Sequence, residues 1–539
     1  MKTSSLLAMT TALSLIASLA LAENHPVTNE PLADEQVFVY RIGDEFASID
    51  PQLTEDIDGA ALVRDLFEGL MNQDREGNLA PGVATHFEAN SDNTVFTFYL
   101  REAAKWSDGT PVTAGDFEYS WKRLADPATA SPYAWFIEEM GLVNVAAIVA
   151  GEMPPSELGV KALDDHTLEV TLSESSNHFP LMTTSSAALP SPKWVIDAYG
   201  AQWTKPENIV SNGAYVLTEH VPQERSTRIR NEMYWNNDAT IIDKVEALVI
   251  NDENAALTRY LSGELDLTEV PTGQFKKFST SYPDEAISFP KQCSYYYFIN
   301  MTESAHPALK DQRVREALYL ALDRSVITDA ILQGGQTPAF TFTPDATAGF
   351  TAPVNPARDM TQKERDARAV ELFTAAGYGK DNPVELDLLY NTSEQHQKIA
   401  ITVSQMWKQK LGVTTVLQNM EWKTFLEARS NQEFDIGRAG WCGDYNSASA
   451  FLDLMSSDHP YNDAGYNNPE VDRLLDEAKR LTDPSANFTK VEQILATDIP
   501  ILPVTHDAGA YMMNAALKNW PVNNVQQKWY ARELYFTAD

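Results

Sequence analysis

Helical and strand patterns alternate over residues 360–441, and this alternation constrains the fold of the chain more than any other feature. Thr361 and Glu364 form a capping box, which predicts the start of a helix. The pattern then predicts, in order, the end of that helix near Gly377, a strand over 384–390, a helix over 394–411, a strand over 413–417, a helix over 422–430 and a strand over 434–441. Strands joined in this way by helices are typical of a parallel or mixed sheet. We therefore expect an α/β fold with mixed β-sheets flanked by helices.

The last of these strands leads into the segment Arg438–Asn446, whose sequence is RAGWCGDYN. Ligands of open α/β sheets bind at the carboxyl ends of strands, which makes this segment a candidate binding site. It combines a cation, aromatic rings and the carboxylate of Asp444, and such groups suit the backbone and amino terminus of a zwitterionic peptide. Each residue also has a structural alternative: Trp441 as a core aromatic, Asp444 as a turn cap and Arg438 as part of a salt bridge.

The amino-terminal residues 1–22 read as a secretory signal peptide. Lys2 precedes an apolar run over 6–21, and Ala20-Leu-Ala22 is typical of a cleavage site. An anchoring helix is the alternative, but the run is short and interrupted by Ser and Thr. No cysteine follows the run, so we expect the mature protein to be soluble outside the cytoplasmic membrane and to have no lipid anchor. The remaining length predicts two or three domains.

The shorter helices and strands outside 360–441 follow from the same periodicities. Strands are predicted over 37–42, 94–100 and 167–172, and helices over 59–71 and 114–124.

The chain is strongly acidic, with a formal net charge of -35. Nucleic acid and anionic membrane surfaces repel such a protein, so neither is expected as a partner. The two cysteines, Cys293 and Cys442, allow a single pairing, and a disulfide is favoured in an exported protein. Two buried free thiols are the alternative.

Motifs of catalysis and metal binding are missing from the sequence. The nine histidines lie far apart, and there is no C-x-x-C, phosphate loop or G-x-S-x-G elbow. We therefore expect no enzyme, no metal site and no cofactor, although a catalytic site built from distant residues stays open.

Seven stretches of the chain resemble, in the same order, the bacterial periplasmic oligopeptide-binding proteins of peptide ABC importers, which form extracytoplasmic solute-binding protein family 5. They are Asp65–Leu70 (DLFEGL), Lys105–Thr113 (KWSDGTPVT), Tyr119–Arg123 (YSWKR), Asp126–Tyr133 (DPATASPY), Gly159–His166 (GVKALDDH), Asn212–Tyr215 (NGAY) and Arg438–Asn446. The resemblance implies a two-lobed clamp of the periplasmic-binding-protein type II. Its implied domains are lobe I over 23–67, 193–292 and 511–539, an additional domain over 68–192 and lobe II over 293–510.

The resemblance also implies how a ligand is held. A short peptide would lie extended between the lobes and pair its backbone with protein strands. Asp444 would receive the peptide ammonium, Gly440 and Cys442 would supply backbone groups, and Trp441 would line a side-chain pocket. The resemblance implies further ligand contacts. Glu55 would lie in a facing strand over 55–57, and Tyr133 and Tyr296 would lie along the cleft. Trp422 and Arg429 would form its wall, and Arg438 and His396 would meet the peptide carboxylate. Arg429 facing solvent and His396 as an ordinary helix residue are the alternatives.

Two departures from the family pattern concern specificity. Leu332 stands where several relatives have a lysine that meets the peptide carboxylate, and Thr505-His-Asp507 replaces aromatic residues. The sequence thus predicts a monomeric binding subunit that delivers short peptides with free amino termini to a membrane permease. A binder of a specialised ligand such as a murein peptide, or an exported peptide hydrolase, is the alternative.

Overall fold

The structure is a computed structural model that describes residues 24–481 and 483–538. The predicted signal peptide lies outside these residues. Within the described ranges, no helix combines the length and the apolar character that crossing a membrane requires.

The strands are β1 (Val37–Ile42), β2 (Met71–Gln73), β3 (Leu79–Pro81), β4 (Ala84–Ala89), β5 (Val95–Leu100), β6 (Val160–Asp164), β7 (Thr167–Thr171), β8 (Tyr215–Val221), β9 (Arg225–Arg230), β10 (Lys244–Val249), β11 (Leu267–Glu269), β12 (Ala286–Ile299), β13 (Thr337–Pro338), β14 (Glu385–Asn391), β15 (Thr414–Met420), β16 (Ile436–Cys442), β17 (Ile501–Met513), β18 (Leu517–Lys518) and β19 (Tyr535–Phe536).

The α-helices are α1 (Ile57–Leu66), α2 (Ala114–Ala125), α3 (Ala134–Glu139), α4 (Val145–Val149), α5 (Phe179–Met182), α6 (Lys193–Tyr199), α7 (Glu253–Leu261), α8 (Phe275–Ser281), α9 (Gln312–Ala321), α10 (Arg324–Val326), α11 (Pro356–Asp359), α12 (Gln362–Ala375), α13 (Glu394–Leu411), α14 (Trp422–Ser430), α15 (Ser449–Leu452), α16 (Pro469–Ala478) and α17 (Ser485–Asp498).

One large mixed sheet organises the molecule, with the strand order β15-β14-β16-β12-β17-β11-β1-β10-β9-β8. The long strands β12 and β17 pair with each other antiparallel along most of their length. β12 carries β16 on its other side, and β17 carries β11 near its end. These two strands therefore connect the two halves of the sheet, and their pairing shifts register between Pro290 and Ser294.

The predicted alternation over 360–441 is confirmed. β14 pairs parallel with both β15 and β16, as crossover helices require. Helix α13 spans the predicted residues because Ser393 caps its first turn and Gly412 ends it in a left-handed conformation with φ of 77°. Its buried residues, which include Ile399, Val403 and Trp407, pack into a core with β12, β14 and β16.

The predicted helix over 59–71 is wrong at its carboxyl end, because α1 stops at Leu66. Phe67 is extended, and the amide side chain of Asn212 bonds both the N–H and the carbonyl of Glu68, at 3.1 and 2.9 Å. These bonds from a distant residue replace the helical ones, and residues 71–73 join a strand pair instead.

A separate four-stranded antiparallel sheet has the order β4-β5-β7-β6. It lies within the range predicted as an additional domain, 68–192, whose boundaries stay a prediction.

Candidate functional site

The candidate site begins at the free edge of β16. This strand pairs with β12 along its whole length, from Ile436 to Cys442. On its other side it pairs with β14 only at Ile436 and Gly437. Among the described residues, no strand pairs with that edge over 438–442, so backbone groups there are open to a ligand strand.

The predicted disulfide between Cys293 and Cys442 is confirmed. The two residues are direct partners in the β12–β16 register, with 4.0 Å between their Cα atoms. The disulfide therefore fixes the carboxyl end of β16 to the strand that connects the two halves of the sheet.

Asp444 lies two residues beyond this disulfide, and its carboxylate is largely shielded from water. Burial raises its pKa from 3.8 to about 6, while Lys528 and the Tyr133 hydroxyl act in the opposite direction. The Tyr133 hydroxyl donates to Asp444 Oδ1 at 3.5 Å, a long bond. The same carboxylate raises the pKa of Tyr133. A cation placed beside Asp444 would stabilise its charged form.

Trp441 belongs to a cluster of aromatic rings beside Asp444. Its ring centroid lies 6.0 Å from that of Trp135 and 5.4 Å from that of Tyr461. Its indole N–H donates to the carbonyl of Ala450. Trp441 is half-buried and fixed, which suits a pocket wall as well as a packing role.

Arg438 and His396, the predicted carboxylate contacts, lie close together beside Tyr295. The Arg438 guanidinium lies 4.8 Å from the centroid of the Tyr295 ring and donates to Asn391 Oδ1 at 3.3 Å. The His396 ring centroid is 5.5 Å from that of Tyr295. Burial, together with Arg438, lowers the pKa of His396 to about 2. The imidazole is therefore neutral, and Arg438 is the cation of this pair.

The other predicted ligand contacts occupy different surroundings. Tyr296 is 2% exposed and packs on Phe298 and Phe342. Arg429 pairs with Asp463 through Nε and Oδ2 at 2.6 Å, so it does not face solvent freely. Their roles as ligand contacts stay predictions.

Trp422 and Gly440 are accessible. Trp422 is 47% exposed and stacks on Phe425, and Gly440 is exposed at the free edge of β16. The predicted facing strand over 55–57 is wrong as a strand, because residues 55 and 56 form no regular element and Ile57 begins α1. Asp56 caps that helix by accepting a bond from the N–H of Gly59, which favours a helix start over an extended segment.

A cavity of about 260 Å³ lies between the amino end of α1 and the carboxyl end of β16. Its lining contains four of the predicted ligand contacts, Glu55, Tyr133, Cys442 and Asp444, and the disulfide partner Cys293. It also contains Arg64, Lys291, Gln526 and Lys528, which the sequence did not identify. The Gln526 amide donates to the carbonyl of Gly443 at 2.7 Å, and Lys528 Nζ donates to that of Asp444 at 3.0 Å. No local motif marks residues 526–528, so only the fold could find them.

The two departures have structural correlates. Leu332 is 3% exposed and belongs to an apolar core, so it offers no charge to a ligand. His506 is buried and its Nε2 lies 3.0 Å from the carbonyl of Thr341. Thr505 donates to Asp507, whose pKa is raised by burial.

Comparisons with known proteins agree with this architecture. Residues 78–463 match the family model described as bacterial extracellular solute-binding proteins, family 5 Middle. The chain is 44% identical over 526 residues to the periplasmic murein peptide-binding protein MppA of Escherichia coli (strain K12), covering 97% of each chain. It is 42% identical over 536 residues to the periplasmic oligopeptide-binding protein OppA of Salmonella typhimurium, covering 98% of each.

Solved structures of relatives share the fold. A structure of the Escherichia coli murein tripeptide binding protein MppA matches with a TM-score of 0.87 at 44% identity, over 94% of this chain and 100% of that one. An unliganded open form of MppA matches with a TM-score of 0.77 at 43% identity, over 94% and 98%. The predicted two-lobed α/β fold is thereby confirmed. With a family model that spans most of its length, this chain belongs to family 5 of the bacterial extracellular solute-binding proteins.

Proposed function

We propose that this protein encloses a short peptide as an extended strand along the free edge of β16, with the peptide ammonium on Asp444. The chain is the substrate-binding subunit of an ABC importer, as its family membership indicates. The proposal adds the mode of binding and the requirement for a free amino terminus.

The observation that carries the proposal is the free edge over 438–442, which ends beside the Asp444 carboxylate. A peptide strand added to such an edge gains main-chain hydrogen bonds that do not depend on its sequence. The direction of the strand is then fixed by charge, because a buried carboxylate needs a cationic partner.

The pKa of Asp444 supports the same assignment. Burial raises it to about 6 despite the nearby Lys528, so the protein compensates the charge of this carboxylate only in part. A primary ammonium would supply both the charge and hydrogen-bond donors. An acetylated amino terminus offers no charge and leaves the carboxylate uncompensated.

At the opposite end of the site, Arg438 is the candidate for the peptide carboxylate. His396 is neutral and Leu332 is apolar and buried, so neither adds charge there. The proposal implies a membrane permease as the partner. It also implies that the protein is a periplasmic monomer without a lipid anchor and does not hydrolyse the peptide.

The test is calorimetric titration with Ala-Ala-Ala and its N-acetylated form. We expect the free peptide to bind and the acetylated peptide to bind at least about 100-fold more weakly, which corresponds to about 3 kcal/mol. Asp444→Asn should lose most affinity for the free peptide, whereas Asp165→Asn, at an exposed site, is the matched control. Equal binding of both peptides would overturn the assignment of Asp444. Recovery of intact peptide after incubation tests the absence of hydrolysis.

A specialised ligand such as a murein peptide is the second candidate. It is favoured by the relative named for that ligand, which is 44% identical to this chain. The oligopeptide-binding relative is 42% identical. Mass spectrometry of ligands released from protein purified from its native periplasm separates the candidates, since a single compound indicates specialisation and a mixture of peptides indicates a general binder.

A further inference from the structure

Among the residues that the structure describes, Arg64 is a buried cation without a hydrogen-bond or ion-pair partner. It lies in the last turn of α1, is 8% exposed, and lines the central cavity. Its Nε is buried and makes no hydrogen bond, and within residues 24–481 and 483–538 its guanidinium has no ion pair within 4.0 Å. A buried charge is normally paired, so an isolated guanidinium that faces a cavity indicates a missing anion.

Lys528 is a second cation in the lining of the same cavity. Its Nζ donates to the main-chain carbonyl of Asp444 at 3.0 Å and to Thr184 Oγ1 at 3.2 Å, both of which are uncharged. An ammonium has three protons, so these two bonds leave one donor free. Burial lowers the pKa of Lys528 to about 7, and repulsion from Arg64 contributes in the same direction.

Three of the carboxylates that line the cavity offer Arg64 little compensation. Glu269 pairs with Arg41 at 2.8 Å, and Asp56 caps α1. Burial raises the pKa of Asp58 to about 7, which disfavours its charged form. Asp444 and Glu55 remain. The proposed function assigns Asp444 to the peptide ammonium, and Glu55 is exposed, so solvent screens its charge.

Charge balance then predicts what the ligand must bring. Arg64 and a bound ammonium are two positive charges beside the shielded carboxylate of Asp444, and Lys528 adds a third when it is protonated. A bound anion would favour the protonated form of Lys528. An anionic group on the ligand would reduce this imbalance in a partly dry cavity, where charge interactions are strong.

We propose that Arg64 and Lys528 form an anion subsite that takes a carboxylate from a side chain near the amino end of the bound peptide. This inference rests on the proposed function, because Asp444 positions the amino end beside the cavity. An arginine fork can bind both oxygens of a carboxylate, and the lysine can add a third bond. The protein should therefore select peptides with an acidic residue close to the amino terminus.

The experiment compares matched acidic and neutral tripeptides by calorimetry at pH 6.5, which lies below the pKa of about 7 of Lys528 and above the pKa of about 6 of Asp444. The pairs are Glu-Ala-Ala with Gln-Ala-Ala, and Ala-Glu-Ala with Ala-Gln-Ala. In the wild-type protein we expect one acidic peptide to bind about tenfold or more tightly than its neutral partner, about 1.4 kcal/mol. The ratio of the two Kd values within one protein is the measured quantity, so a general loss of affinity does not affect it.

Two variants assign the effect to the cations. Lys528→Met and Arg64→Gln should each bring the ratio towards one, and Lys161→Met, on an exposed strand, should retain the wild-type ratio. Arg64 is buried, so its variant is judged only if its thermal unfolding is cooperative, and Lys528→Met decides the question alone otherwise.

The outcomes separate this inference from the function on which it rests. Equal affinities for both members of both pairs in the wild-type protein would overturn the anion subsite and leave the peptide-binding function intact. An acidic preference that persists in Lys528→Met would also overturn it. Failure of every free tripeptide to bind would overturn the proposed function and the subsite together.

Discussion

The hydroxyl of Tyr133 and the carboxylate of Asp444, 311 positions apart in the chain, face each other across the site at 3.5 Å. Tyr133 precedes α3, whereas Asp444 follows β16. A residue from outside the large sheet therefore contacts the group that we assign to the peptide ammonium.

Peptide affinity should fall as the pH is lowered through the pKa of Asp444. That pKa is about 6 in the empty site, so the carboxyl group is mostly charged at pH 7.5 and mostly protonated at pH 5. Since the ammonium binds the charged form, affinity should fall about tenfold for each pH unit below the pKa. Calorimetry between pH 5 and pH 8 measures this slope. A flat profile would contradict the role of Asp444.

Acid should destabilise the protein through His396. Burial and Arg438 lower the pKa of this imidazole from 6.5 to about 2. Below pH 6.5 the unfolded chain binds a proton there and the folded chain does not, so stability is lost as the pH falls. At pH 5 the loss is about 2 kcal/mol.

The variant His396→Gln should therefore lose less stability between pH 7.5 and pH 5 than the wild-type protein, as measured by urea unfolding. His86→Gln, at an exposed site, is the control. An equal acid sensitivity of wild type and His396→Gln would show that the imidazole titrates in the folded state.

Breaking the ion pair of Arg429 and Asp463 on one side should be strongly destabilising. The side chains are 11% and 3% exposed, so Asp463→Asn leaves a shielded guanidinium without its counter-charge. The expected loss is about 3–5 kcal/mol in unfolding free energy. Glu470→Gln, in the exposed pair with Arg473, should cost less than about 1 kcal/mol. Similar losses in both variants would contradict the importance of burial.

Removing the disulfide should destabilise the half of the protein that contains β16. Cys293 and Cys442 are 149 positions apart, and closing so long a loop contributes up to about 4–5 kcal/mol in the chain-entropy model. The double variant Cys293→Ser/Cys442→Ser should unfold at lower denaturant than the wild type. Reductant should shift the wild type towards the variant and leave the variant unchanged.

Much of the fold could be predicted from local sequence. The apolar periodicity over 394–411 predicted helix α13, and the residues that cap it, Ser393 and Gly412, are local in the sequence as well. The end of helix α1 depends on a distant residue, because Asn212, 144 positions from Glu68 in the sequence, forms hydrogen bonds with the backbone of Glu68. Local periodicity cannot contain that information.

The candidate site shows the same division. Arg438–Asn446 was visible because its chemical groups are adjacent in the sequence. Lys528 was not, since it reaches Asp444 from 84 positions away in a segment without a motif. The sequence did not indicate Arg64, because an arginine is ordinary within a helical pattern. Only its burial without a partner among the described residues distinguishes it.

The shift in the β12–β17 pairing between Pro290 and Ser294 lies next to Cys293. A hydrogen-bonded ribbon of two strands bends most easily where its ladder is interrupted, and it resists sliding of one strand along the other. The disulfide attaches the carboxyl end of β16 to β12 at this interruption. A displacement of this end of β16 would therefore pass through the disulfide to the stretch of β12 whose ladder to β17 is interrupted, rather than to a continuously paired stretch.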